Sequence, residues 1–185
     1  AFFTGAAEEN AALIDGLTQP IATASGSPAF DLYCRQSFLD NLMRGGVPVA
    51  VGGKSFYVFS RKHGDLERDY NFFTVPASYY SQGNANYRDV NQNRRNDPWF
   101  YPELGDANVR VFFNLIQADG FNPLVFKGVR YVAAAASRTI PALEPILSKP
   151  FTPGELLMAV ERQRVTLPQP AEQWLDAVMA AATPI

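Results

Sequence analysis

Arg88 and Asp89 are neighbours in the sequence, with Tyr80 on one side and Gln92, Asn93, Arg94 and Arg95 on the other. These side chains hydrogen-bond hydroxyl groups in fixed directions. The guanidinium only donates, the carboxylate only accepts, and the amides do both. All belong to the stretch YYSQGNANYRDVNQNRRND, residues 79–97, which is dense in Asn, Gln, Arg, Asp and Tyr and lies between more apolar segments. Convergent polar groups of this kind are the usual mark of a ligand pocket. Tyr80, Arg88, Asp89, Gln92 and Asn93 are therefore candidates for a wall that binds a polyhydroxylated ligand. The alternative is a buried polar network that braces a loop. Arg94 and Arg95 are candidate phosphate contacts on charge alone, with a solvated face as the alternative.

Acid–base chemistry falls to the carboxylates. Cleaving a glycoside needs a protonated carboxylic acid beside the leaving oxygen. A carboxylate beside an arginine stays ionised, which suits Asp89 to accepting hydroxyls rather than to acting as that acid. Asp65, Glu67, Asp69 and Asp97 also stand in polar, aromatic company. One of the first three could face a cleft. Equally, residues 61–73 could be a solvated turn with exposed ion pairs, which are worth little.

Other chemistries lack their parts. No Gly-Xaa-Ser-Xaa-Gly elbow occurs, and a Ser–His or Cys–His couple would have to use His63, the single histidine. Cys34 lies on the apolar face of a predicted helix and reads as core. One histidine and one cysteine are too few for a zinc site. The spacing Asp89-Xaa-Asn91-Xaa-Asn93 resembles a calcium loop, but Arg94 stands where glycine is needed and Phe100 where the bidentate glutamate should be. Gly52-Gly53-Lys54-Ser55 fails as a phosphate loop, because Pro48 holds the place of the first glycine and a strand follows. No metal or organic cofactor is expected.

The elements that must position these residues follow from pattern. A first helix is expected from Thr4, with Glu8 and Glu9 in its first turn, Leu13, Ile14 and Leu17 on one face, and Pro20 as its stop. Ser27 and Pro28 open a second helix, on which Phe30, Tyr33, Cys34, Phe38 and Leu42 recur at helical spacing until Gly45-Gly46. Residues 47–60 change to strand alternation around Gly52-Gly53 and predict a β-hairpin. Asp106 is expected to cap a helix with Val109, Phe112, Phe113 and Ile116 as its buried stripe. An extended segment and a short helix follow from Asn122. Thr152-Pro153-Gly154-Glu155 is a capping box, and a last helix from near Pro170 carries Trp174, Leu175, Val178 and Met179.

The totals bound the class. A chain of 185 residues can hold one domain with a core, and 47% apolar with 18% charged residues suits a soluble protein. Fourteen Phe and eight Tyr could serve a core or a sugar platform. With a net charge of −2 and no basic run, a nucleic-acid partner is not expected. The single cysteine points to a reducing, cytoplasmic compartment. No membrane partner is expected, since no apolar run reaches spanning length. No secretory signal is expected. Because it starts at Ala1, the chain is expected to be processed or a piece of something longer.

A resemblance enters at the motif itself. ASYYSQGNANYRDVNQN, residues 77–93, looks like the stretch in cellobiose phosphorylase and its relatives that reads roughly S-Y-Y, a glycine-rich turn, then F-R-D-S-N-Q-D. NLIQADGF resembles the end of the helix that follows it there, and HGDLERDYNFF looks like the form found in a large branch of the same group. The likeness covers about the middle third of the chain. The pattern along the chain is mainly α with a β-hairpin region, and the resemblance implies that it is part of an (α/α)6 barrel, so that residues 1–185 are a single domain or a fragment of a larger barrel domain. The resemblance also implies inverting, reversible phosphorolysis of a β-linked gluco-oligosaccharide, with inorganic phosphate as co-substrate. It carries Arg88 and Asp89, and more loosely Gln92, to the sugar subsite on the non-reducing side of the cleaved bond. Two departures stand out. Asn93 replaces the family's closing Asp, and no Trp-Asn-Asp motif, where the family's general acid lies, follows Asp97; Trp174 is followed by Leu175-Asp176. The expected partners are an oligosaccharide and either another chain or the rest of a longer polypeptide. The alternatives are a non-catalytic carbohydrate-binding or interaction module and a glycoside hydrolase of the same barrel.

Overall fold

A computed structural model of the chain describes residues 2–59, 78–82 and 85–185. His63, Asp65, Glu67 and Asp69 lie outside the described residues. The described residues form eight α-helices, with short strands paired two by two. The fold is mainly helical with a β-hairpin, as expected. The helices do not close into a toroid among the described residues. Two of them, Asp97–Phe100 and Glu144–Leu147, have four residues each, too short to serve as arms of helical hairpins in a ring.

Helix α1 spans Phe2–Thr18 and α2 spans Pro28–Gly45. Thr4 is not the cap of α1. It lies inside the first turn, and no acid falls in that turn. The α2 signals operate as expected. The Ser27 side chain accepts from the Phe30 amide, Pro28 takes a first-turn position, and Gly46 ends the helix at φ 84°. Phe38 and Leu42 are buried, but Phe30 and Tyr33 are exposed and Cys34 is half-buried, so the apolar face meets neighbours only along its last turns.

Strands β1 (Val47–Val51) and β2 (Lys54–Val58) form the predicted antiparallel hairpin. Successive strand residues point to opposite faces, and β2 uses this to join two hydrophobic clusters. Phe56 enters the larger cluster, while Tyr57, together with Phe59, enters the smaller one with Tyr87, Val90 and Phe112. The larger cluster contains Tyr131, Leu143, Leu147, Phe151, Leu156, Trp174, Leu175 and Met179. Each fully buried large side chain of this kind contributes about 1.5–3 kcal/mol relative to exposure.

The chain then forms β3 (Ala85–Asn86), α3 (Tyr87–Arg94), α4 (Asp97–Phe100) and α5 (Ala107–Asn114). β3 pairs with β4 (Val125–Phe126). β5 (Tyr131–Val132) pairs with β6 (Thr183–Pro184). Between them lie α6 (Glu144–Leu147), α7 (Pro153–Arg162) and α8 (Ala171–Ala181). The capping box at Thr152 and Glu155 is present in full. Trp174, Leu175, Val178 and Met179 are buried on α8 as expected. The α5 stripe is a correction. Phe112 is buried, whereas Val109, Phe113 and Ile116 are exposed. The row that faces inward is Asn108 and Phe112, four residues apart. The apolar stripe of α5 is wider than the surface it packs on, and helical period alone does not say which edge is covered.

Candidate functional site

The middle of the polar stretch is a helix, α3. The Asn86 side chain caps α3 by accepting from the Arg88 amide at 3.1 Å, and Asp89 sits in the first turn, where a negative charge favours the helix. Tyr87, Val90 and Arg94 are buried on one side of α3. The Tyr87 hydroxyl donates to the Phe112 carbonyl at 2.9 Å, and the two rings meet edge to face.

Arg88, Asp89 and Gln92 line the outer side. Arg88 Nε donates to Asp89 Oδ1 at 3.0 Å, with the Arg88 side chain 76% exposed and that of Asp89 25% exposed. Gln92 is exposed one turn beyond Arg88, on the same face of the helix. Asn93 is half-buried; its carbonyl accepts from Asn41 Nδ2 of α2 at 3.3 Å. Tyr80 stands apart. It adopts φ 47° and packs edge-on against Phe56, at the rim of the larger cluster. Burial raises its hydroxyl pKa, helped by the charges of Glu172 and Asp176. Of the five candidate sugar contacts, α3 therefore carries four, and Tyr80 belongs to a different cluster.

The two arginines diverge. Arg95 is exposed and borders a cleft of about 410 Å³ with Asn91, Pro98, Val109 and Phe113. Arg94 is only 4% exposed. Its guanidinium carbon lies 3.5 Å from the centroid of the Tyr57 ring, and Nε donates to the Gly45 carbonyl at 3.1 Å. That carbonyl sits at the C-terminal end of α2, where a cation is favoured. Burial lowers the Arg94 pKa to about 10, against the opposing pull of Tyr57 and Asp97.

Around Arg94 is a polar cluster whose members come from separate elements. Tyr57 Oη donates to Asp97 Oδ2 at 2.7 Å and accepts from Asn108 Nδ2 at 2.7 Å. Asn108 Nδ2 also donates to the Arg94 carbonyl at 3.3 Å. Burial pushes the Asp97 carboxyl up to about 6, even though the Tyr57 hydrogen bond and the Arg94 charge both favour its ionised form. Burial and the nearby Asp97 charge push the Tyr57 hydroxyl well above its ordinary value. Asp97 stands among the acids singled out by the sequence; Tyr57 and Asn108 do not. Asn108 left a usable signal, since it is a polar residue four positions before Phe112, on the same face of the helix.

A second cleft, of about 490 Å³, opens on the other side of this cluster. Phe56, Tyr57 and Phe59 form one wall and Val111 and Leu115 another, and the segment Pro123–Val129 closes it, with Gln82 at the edge. Gln82 clasps Val129 with two hydrogen bonds of 2.8 and 3.2 Å. Arg94 and Asn108 border both clefts, whereas Tyr80, Arg88, Asp89, Gln92 and Asn93 border neither. Chemically, the outer face of α3 can donate to and accept from hydroxyls, and Asp97 can exchange a proton near neutral pH. Among the described residues no group of three His, Cys, Asp or Glu side chains could hold a metal ion, and no helix is long and apolar enough to cross a membrane. No family model, curated protein or solved structure matches this chain.

Proposed function

We propose that this chain is part of a carbohydrate-active enzyme of the cellobiose phosphorylase type and supplies one wall of its sugar subsite. The observation that carries this is the outer face of α3, where Arg88 and Asp89 are joined at 3.0 Å with Gln92 one turn along. A guanidinium, a carboxylate and an amide on one helix can donate to and accept from adjacent sugar hydroxyls without first paying to order a loop. In the reaction, phosphate attacks the anomeric carbon of a β-linked gluco-oligosaccharide with inversion, while a carboxylic acid protonates the leaving oxygen. The face of α3 holds no group suited to that acid, which belongs to another part of the intact enzyme. A non-catalytic carbohydrate-binding module is the second reading. It is favoured by Asp97, whose carboxyl is pushed up to about 6 but is turned inward onto Tyr57.

The test is binding of a β-linked gluco-oligosaccharide, cellotetraose, to the wild type and to Arg88→Ala and Asp89→Ala. Losing one charge-assisted hydrogen bond costs about 1.5–3 kcal/mol, roughly a 10- to 100-fold loss in affinity. Arg88→Ala should show that loss with its unfolding midpoint unchanged, and Asp89→Ala should show it with only the about 0.3–1 kcal/mol cost of losing a first-turn acid of α3. Unaltered affinity would remove the sugar wall from α3. Phosphate-dependent cleavage by the intact protein distinguishes a phosphorylase from a hydrolase, and no cleavage favours the binding module.

A further inference from the structure

The buried line Asp97–Tyr57–Asn108–Arg94 carbonyl joins α4, β2, α5 and the end of α3 by hydrogen bonds of 2.7, 2.7 and 3.3 Å. We propose that this line is a hydrogen-bond wire whose direction is set by the proton on Asp97, and that reversing it releases the C-terminal end of α3 from α5. The stereochemistry leaves few arrangements. An ionised carboxylate can only accept, so the Tyr57 hydroxyl spends its single hydrogen on Asp97 and uses its oxygen to accept from Asn108. The second hydrogen on Asn108 Nδ2 is then directed to the Arg94 carbonyl.

A proton taken from solvent makes Asp97 a donor. Its new O–H points to the Tyr57 oxygen, and the Tyr57 hydrogen swings toward Asn108. To receive it, the Asn108 amide must turn over and present Oδ1, which carries Nδ2 away from the Arg94 carbonyl. One proton is added and no bond between heavy atoms changes. Only the C-terminal end of α3, the helix that bears Arg88, Asp89 and Gln92, loses its bond to α5; the Tyr87 hydroxyl still holds the start of the helix to the Phe112 carbonyl.

Several other groups face this wire among the described residues. From α3 comes the Arg94 guanidinium, stacked on Tyr57 and anchored to the Gly45 carbonyl of α2. Beyond α4 comes Tyr101, whose hydroxyl is raised first by burial and then by the charges of Asp97 and Glu103. β2 contributes Tyr57 and α5 contributes the neutral Asn108. Burial of Asp97 favours its neutral form, and the Arg94 charge favours the ionised one. The balance places the change near pH 6, within reach of ordinary variation around neutrality.

Nuclear magnetic resonance of the wild-type chain between pH 4.5 and 8 tests this without any ligand. It follows the Asp97 carboxyl carbon, the Asn108 side-chain amide and the Arg94 carbonyl carbon. All three should move with one midpoint near 6, and exchange protection at the end of α3 should fall on the acid side. Asp97→Asn should abolish the transition. Tyr57→Phe should leave the carboxyl titrating while Asn108 and the Arg94 carbonyl stop following it. If the carboxyl titrates and the Arg94 carbonyl stays still in the wild type, neutral Asp97 goes on accepting from Tyr57 and the wire is overturned. A transition that survives in Asp97→Asn belongs to another group, such as His63, and overturns it as well. None of these readings depends on whether α3 binds sugar.

Discussion

Replacing Gly52 by alanine tests how the hairpin is seated, and Gly53 beside it provides the control. Both glycines form the turn between β1 and β2, at φ 58° and 72°. An L-residue with a side chain in this left-handed region costs about 1 kcal/mol. At Gly53 that is the whole cost, because an added Cβ would meet nothing within 4 Å. At Gly52 the Cβ would lie 2.6 Å from the Asp176 carbonyl oxygen and 2.7 Å from the Met179 carbonyl carbon. Those atoms are backbone of α8 and cannot rotate aside. The Gly52 amide also donates to Asp176 Oδ1 at 2.8 Å, and Lys54 Nζ donates to the Ala180 carbonyl at 3.0 Å, so moving the turn outward strains two further bonds. Overpacking of this kind adds about 1–3 kcal/mol. Gly53→Ala should therefore lose about 1 kcal/mol in urea unfolding and Gly52→Ala about 3 kcal/mol, with equal slopes against urea. Equal losses, within about 0.5 kcal/mol, would mean that the turn is not seated on α8. The placement of β2, and with it the aim of Tyr57 at Asp97, would then be wrong.

Stability against pH reads the buried acid directly. The folded Asp97 pKa of about 6 lies above its ordinary 3.8, so this group contributes stability that is fully present below pH 4 and is lost as pH rises through 6. By linkage, wild type relative to Asp97→Asn should gain about 1.4 kcal/mol from pH 7.5 to pH 5; a flat difference in chemical denaturation would contradict the burial of this carboxyl. Asn108→Ala removes the donor that Nδ2 supplies to the Tyr57 oxygen and to the Arg94 carbonyl and should cost about 1–3 kcal/mol, read as a shifted denaturation midpoint. Thr152→Ala removes one arm of the α7 capping box, in which Glu155 N donates to Thr152 Oγ1 at 3.2 Å and Thr152 N donates to Glu155 Oε2 at 2.8 Å. It should cost about 1 kcal/mol, and Glu155→Ala should cost more because that carboxylate also pairs with Arg130 at 2.7 Å.

What could be read from the sequence was what local chemistry decides. Ser27-Pro28, Gly52-Gly53 and Thr152-Pro153-Gly154-Glu155 each carry their own backbone instruction, and the structure follows all three. The α8 core residues were legible because Trp174, Leu175, Val178 and Met179 share one narrow stripe. Phe113 and Ile116 fit a helical stripe equally well yet are exposed. Whether a stripe is covered depends on partners distant in the chain, which no local spacing records. Thr4 failed for a related reason: the helix began before it, at Phe2. Tyr80 and Arg88 were grouped because they are close in sequence, but the turn at Tyr80 sends its ring to Phe56 in a separate cluster.

The polar stretch admitted two accounts, a ligand wall and an internal brace, and helical period makes room for both. Once Asn86 starts a helix, residues that alternate freely in sequence are sorted by angle around its axis. Val90 and Arg94 go inward, and Asp97 follows them as the next helix begins. Arg88 and Gln92 go outward. Burying Arg94 and Asp97 is costly unless each finds partners. The Tyr57 ring, the Gly45 carbonyl and the Tyr57 hydroxyl, with Asn108 behind it, meet that need. These groups come from the hairpin, α2 and α5, so the brace can form only when all three are in place. A helix with so few apolar residues has little to hold it by packing alone; Tyr87 and Val90 provide one short row. The orientation of the outward face is thus held from the buried side, by Arg94 together with Tyr87 and Val90.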